Sequence, residues 1–195
     1  MIRWIALSSQ SESRTELVFR GVPGKDIGSM ATCMEKMGVS IKREQQKWVI
    51  RGPRGGPILP NGVLDCGNSA TTANLVTSIA ACLDGSVEID GDLSLRRRDL
   101  SPLTSALREL GCGVSSDRLP YIVSGPIVPG IISIDKSFSS QTLSGIILAS
   151  PGLSGEVKIS LRGEAVSRWY RDLTIETSGL SGWGGNYGET MILDS

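Results

Sequence analysis

Histidine is absent from all 195 residues. That removes histidine-based triads, the commonest general base and histidine–metal sites in one step. Aromatic residues are scarce, with four Trp, three Tyr and two Phe, so the core has to come from Leu, Ile, Val and Ala. Neither sign of charge dominates: Lys plus Arg number 20, as do Asp plus Glu. Nothing therefore argues for bulk attraction to nucleic acid or to a membrane surface. No apolar run reaches the length of a membrane span. The opening Met1-Ile2-Arg3-Trp4-Ile5-Ala6-Leu7 is too short and poorly built for a signal peptide. Cys33, Cys66, Cys82 and Cys112 are widely spaced, without a C-x-x-C pair. Reduced structural thiols in a cytoplasmic setting are expected.

What the chain does have is repetition. Lys25-Asp26-Ile27-Gly28, Arg98-Asp99-Leu100-Ser101 and Arg171-Asp172-Leu173-Thr174 share a basic–Asp–apolar–small pattern, with the three aspartates 73 residues apart twice over. Twelve residues after each aspartate comes a glycine: Gly38, Gly111 and Gly184. Between these marks, Ile27, Met30, Ala31, Met34 and Met37, and again Leu100, Leu103, Ala106, Leu107 and Leu110, follow a helical period. Asp at one end and Gly at the other are the expected cap signals. The third copy is interrupted by Gly179 and Gly182.

Before each of these helices runs an alternating segment ending in Gly: 16–21, 87–91 and 157–163. Period-two alternation marks half-buried strands. Upstream again are helical segments at 3–10, 69–83 and 140–150, the last stopped by Pro151. Downstream, strand pairs are expected between Val39–Lys42 and Trp48–Arg51, and between Tyr121–Ser124 and Ile131–Asp135. The chain is long enough for one well-buried domain or two small ones. Three α/β units around a pseudo-threefold axis, sharing one core, are the expected architecture. The units run approximately 1–62, 63–132 and 133–195.

Candidate chemistry gathers at matching points of these units. Leu64-Asp65-Cys66-Gly67-Asn68-Ser69-Ala70-Thr71-Thr72-Ala73 is a small, polar turn feeding a helix, with Asn68 or Ser69 available as the cap. A helix start rich in free N–H groups suits an anion, although the same residues also suit an ordinary capped helix. Ser139-Ser140-Gln141 holds the same place in unit three, where hydroxyls, an amide and the helix dipole can grip a phosphate. Arg96-Arg97-Arg98 follows the second unit's strand, and Arg98 stands at the helix entrance, where a guanidinium can bind carboxylate or phosphate bidentately. Ser167 and Tyr170 occupy the comparable turn of unit three; Tyr170 suits the core equally well.

Four ordered motifs carry a specific resemblance: 64–71, 91–98, Ser139-Ser140-Gln141 and Glu164-Ala165-Val166-Ser167-Arg168-Trp169-Tyr170. In these the chain resembles the N-terminal domain of the 3-phosphoshikimate 1-carboxyvinyltransferase (EPSP synthase) family over nearly its whole length. The resemblance implies a domain of three βαβαββ units, an inverse α/β barrel whose first unit is truncated here. It implies transfer of the enolpyruvyl group of phosphoenolpyruvate to the 5-hydroxyl of shikimate 3-phosphate, without metal or other cofactor. By the same resemblance Ser139, Ser140 and Ser167 hold the shikimate phosphate, Gln141 and Tyr170 adjoin the ring, and Arg3 pairs with the shikimate carboxylate. Arg98, Asn68, Ala70 and Thr71 line the phosphoenolpyruvate site. No residue of this half is assigned the proton transfers.

Departures accompany the match. Met1-Ile2 stand where the family has a Lys-Ser pair, Asn74 where an arginine is usual, and Asp99 where a proline is usual. The second, C-terminal-type domain is the expected missing partner for turnover. Ala70 stands where glycine is common, as in glyphosate-tolerant forms, which makes glyphosate a weak inhibitor at most. Two alternatives are a stand-alone module binding phosphorylated ligands, and another enzyme on the same repeat fold, such as the amino-sugar enolpyruvyl transferase or the RNA terminal phosphate cyclase.

Overall fold

The computed structural model describes residues 1–135, 140–162, 173–174 and 190–193. Helix α1 spans Ile2–Ser8, followed by strand β1 (Thr15–Val18), helix α2 (Lys25–Lys36) and strands β2 (Ser40–Arg43) and β3 (Lys47–Arg51). The middle of the chain forms β4 (Leu64–Asp65), α3 (Ala70–Ala80), β5 (Ser86–Asp90), α4 (Ser101–Glu109), β6 (Gly113–Val114) and β7 (Tyr121–Ser124). Then come β8 (Gly130–Asp135), α5 (Ser140–Ala149), β9 (Val157–Arg162) and β10 (Thr190–Leu193).

The amphipathic helices form as their spacing dictates. In α2, Met30, Ala31 and Met34 are buried, with Met37 just beyond; in α4, Leu103, Ala106 and Leu107 are buried, with Leu110 just beyond. Gly38 and Gly111 end them with φ of 87° and 83°, a left-handed conformation that glycine adopts without steric cost. The starts differ from expectation. Gly24, not Asp26, is the N-cap of α2, and Asp26 lies within the first turn, where the helix dipole favours its charge. Asp99 does accept a hydrogen bond from the Ser101 N–H at 2.9 Å, from one residue outside the cap.

Three sheets surround the helices. The second has the order β4-β5-β7-β6, with β4 parallel to β5 and the other neighbours antiparallel. The first, β1-β3-β2, repeats that order without a leading strand. The third, β10-β9-β8, again pairs its leading strand in parallel, Ile132 beside Ile159 and Ile134 beside Leu161. Ile131–Asp135 therefore does not pair with Tyr121–Ser124, as the alternation had suggested. Both edges of β7 are occupied, by β5 and by the two-residue β6, and β8 takes the free edge of β9. Alternation reveals which face of a strand is buried, not which edge meets which.

Helices α1, α3 and α5 pack against one another. α3 and α5 are buried along almost their full length, including Thr72, Asn74, Thr77, Ser78, Thr142 and Ser144. Buried polar groups need partners, and these have them: Thr77 meets the Tyr121 hydroxyl at 2.8 Å, and Ser78 donates to the Asn74 carbonyl at 2.9 Å. Gly145 lets the two helices approach. A Cβ there would fall 2.5 Å from Ser78 Oγ and 2.9 Å from the Asn74 carbonyl oxygen.

Candidate functional site

The N-terminal turns of α3 and α5 lie side by side, because the two helices pack along their length. Ser69 caps α3, its Oγ accepting from the Thr72 N–H at 3.2 Å. Gly67 turns the chain into that cap with φ 58°, and a Cβ there would come 2.8 Å from Ser29 Oγ on α2. Asp65 steadies the turn by accepting from the Gly67 N–H at 2.8 Å. The turn is thus held from both sides, leaving Asn68, Ala70 and Thr71 at its crest.

Two contacts tie this crest to residues far away in sequence. Arg98 reaches across from the end of a short 3-10 turn to Asn68 Oδ1 at 3.3 Å. Gln141 of α5 donates through Nε2 to Thr71 Oγ1 at 3.1 Å. Behind them Asn74, one turn into α3, donates to the Ala70 carbonyl at 2.8 Å and to Gln141 Oε1 at 3.5 Å, while its Oδ1 accepts from Thr142 Oγ1 at 3.4 Å. On the other flank, Ser144 donates to the Ser140 carbonyl at 2.8 Å and meets Thr174 Oγ1 at the same distance. Thr174 also accepts from Arg3 Nε at 2.8 Å.

The seven described candidates, Arg3, Asn68, Ala70, Thr71, Arg98, Ser140 and Gln141, therefore come from four separated segments onto one connected surface. Ser139, Ser167 and Tyr170 lie outside the described residues. Asn74, Ser144 and Thr174 join the network without having been singled out for it by chemistry. Thr174 did carry a signal, as the small residue closing the third copy of the basic–Asp–apolar–small pattern.

Electrostatically the surface favours anions. Two helix N-termini present their dipoles there, and Arg98 and Arg3 add guanidinium charge. Arg96 is engaged elsewhere, in a paired contact with Asp90 at 2.9 and 2.6 Å, and that hydrogen bonding holds the Asp90 carboxyl below the usual range. Of the three consecutive arginines, Arg96 secures the strand end and Arg98 meets the α3 turn.

The cysteines stay out of this chemistry. All four are free, and Cys33, Cys66 and Cys112 are buried. Hydrogen bonding to Cys33 and burial push the Cys66 thiol well up, and burial, with Cys112 nearby, raises Cys82 to about 12. Such thiols stay protonated and behave as small apolar groups. Among the described residues, no group of three His, Cys, Asp or Glu side chains could hold a metal ion. No helix among them is long and apolar enough to cross a membrane.

The family described as EPSP synthase (3-phosphoshikimate 1-carboxyvinyltransferase) matches residues 7–178. The chain belongs to the EPSP synthase family. A 3-phosphoshikimate 1-carboxyvinyltransferase of Methanosarcina mazei is 34% identical over 181 residues, 91% of this chain and 42% of the relative. That of Methanosarcina acetivorans is 35% identical over the same shares. The chain thus spans about two fifths of the length of these EPSP synthases. In fold it is similar to EPSP synthase from Acinetobacter baumannii, with a TM-score of 0.80 at 24% identity, covering 99% of this chain and 44% of that one. It is more distantly similar to the enolpyruvyl transferase NikO from Streptomyces tendae, with a TM-score of 0.65 at 17% identity over 100% of this chain and 43% of that one.

Proposed function

We propose that this chain is the shikimate 3-phosphate-binding half of an EPSP synthase, a single N-terminal-type domain working in the cytoplasm. Its three units are approximately 1–62, 63–132 and 133–195. The reaction joins the 5-hydroxyl of shikimate 3-phosphate to the enolpyruvyl group of phosphoenolpyruvate and releases inorganic phosphate. Ser140, with Ser139 and Ser167, holds the shikimate phosphate; Gln141 and Tyr170 adjoin the ring; Arg3 takes the carboxylate. Asn68, Ala70, Thr71 and Arg98 form this half's wall of the phosphoenolpyruvate site, and a complementary C-terminal-type domain supplies the remaining ligands and the proton transfers.

The observation that carries this reading is the continuous path Arg98–Asn68 and Thr71–Gln141, flanked by Ser140–Ser144–Thr174–Arg3. Two cationic side chains and two helix starts belong to this one network, which supports a reading with two anionic substrates.

Calorimetric titration of the chain with shikimate 3-phosphate tests the proposal. Binding is expected, with unphosphorylated shikimate far weaker. Ser140→Ala should weaken the phosphorylated ligand by roughly tenfold, the worth of one charge-assisted hydrogen bond, and leave shikimate nearly unchanged. Equal losses for both ligands would show that the serine serves the helix alone, and no binding by the unaltered chain would overturn the proposal.

A further inference from the structure

We infer that Asn74 is a positioning residue that fixes which way round the Gln141 side-chain amide stands. The inference deepens the substrate-site reading above and rests on it for its consequence in binding. A primary amide has two ends of nearly equal size and opposite hydrogen-bonding sense, so something must choose between them. The choice starts at a backbone carbonyl. The Ala70 oxygen can only accept, so Asn74 must turn Nδ2 toward it, and that bond is 2.8 Å. With Nδ2 on that side, Asn74 offers a donor to Gln141, which answers with Oε1 at 3.5 Å. Gln141 then presents Nε2 to Thr71, at 3.1 Å.

Threonine hydroxyls at either end cannot make this choice, because each can donate or accept. Thr142 donates to Asn74 Oδ1 at 3.4 Å and so completes the Asn74 amide without directing it. Asn74 is 3% exposed, within a helix pair held close at Gly145, so it has little freedom to turn away. Polarity therefore passes from the first turn of α3, through Asn74, to the Gln141 amide, which the proposed function sets beside the substrate.

The test is a double-mutant cycle on the 195-residue chain, read by calorimetry with shikimate 3-phosphate. Asn74→Ala and Gln141→Ala should each weaken binding by about fivefold to tenfold, the worth of one ordinary hydrogen bond. The double variant should be little worse than Gln141→Ala alone, because coupled residues are non-additive. Losses that multiply would overturn the inference. A second readout needs no ligand. The side-chain amide proton signals of Gln141, identified by their disappearance in Gln141→Ala, should move in Asn74→Ala; signals that stay in place also overturn it. Should Asn74→Ala fail to fold, Asn74→Ser serves with the same expected outcomes, since a serine can return its hydroxyl to the i−4 carbonyl but is too short to reach Gln141. Failure of the unaltered chain to bind shikimate 3-phosphate would count against the substrate reading, while the amide signals still decide the role of Asn74.

Discussion

Ala70 begins α3 with its carbonyl tied to Asn74 and its side chain only partly buried. One methyl at this point is a small change, and under the proposed function a selective consequence is expected of it. Glyphosate is longer than phosphoenolpyruvate, so a methyl on the wall of the proposed site can crowd the inhibitor and spare the substrate. Crowding of this kind costs about 1–3 kcal/mol, or roughly tenfold to hundredfold in discrimination. Ala70→Gly, in this chain complemented by its second domain, is expected to sharpen glyphosate inhibition by that factor and to move phosphoenolpyruvate saturation much less. Inhibition curves at fixed phosphoenolpyruvate check it. A purely helical role for Ala70 would instead appear as a lower melting temperature with unchanged inhibition, since glycine is the poorer helix former.

Between elements, the contact that sets the site is the close approach of α3 and α5. Gly145 is where that approach has no room: an added Cβ meets Ser78 Oγ at 2.5 Å and the Asn74 carbonyl at 2.9 Å. The hydroxyl can rotate, but the carbonyl belongs to the helix backbone and must move with it. Gly145→Ala is therefore expected to destabilise the fold by about 1–3 kcal/mol, outweighing the gain of up to about 1 kcal/mol in helix propensity. Denaturant titration reads the sign directly; a more stable variant would show that the helices have slack. The same variant should weaken shikimate 3-phosphate binding, because separating the helices draws Gln141 away from Thr71.

At the scale of the whole molecule, polar contacts join segments far apart in sequence at related places of the repeated pattern. Thr72 of α3 donates to the Asp26 carbonyl at the start of α2, and Arg3 of α1 donates to Thr174, 171 residues away. Asp26 and Thr174 both belong to copies of the basic–Asp–apolar–small pattern, while Thr72 and Arg3 lie on α3 and α1. One shared core is expected to let the chain fold alone, while under the proposed function the chemistry needs a complementary domain. The chain alone is expected to release no phosphate from shikimate 3-phosphate and phosphoenolpyruvate, and to do so when the complementary domain is added. A continuous phosphate assay checks both halves of that statement.

Local order was legible in the sequence because it depends on spacing. The segments 69–83 and 140–150 became α3 at Ala70–Ala80 and α5 at Ser140–Ala149, and the 73-residue spacing reported the repeated units. Gly38 and Gly111 closed their helices as expected, because a left-handed residue after a helix is a local demand. The capped start of α3 was legible for the same reason: Ser69 and its neighbours announce a cap whatever lies beyond. What spacing cannot carry is the identity of a distant partner. That β7 spends both its edges on β5 and β6, that Gly24 displaces Asp26 as the cap, and that Thr174 answers Arg3 all depend on which surfaces the packed core brings together. The sequence by itself determined where the main helices and strands lie and how their pattern recurs. Only the tertiary structure decided the strand partners and the polarity of the Asn74–Gln141–Thr71 path, because hydrogen bonds between remote groups exist only once their helices have been pressed together.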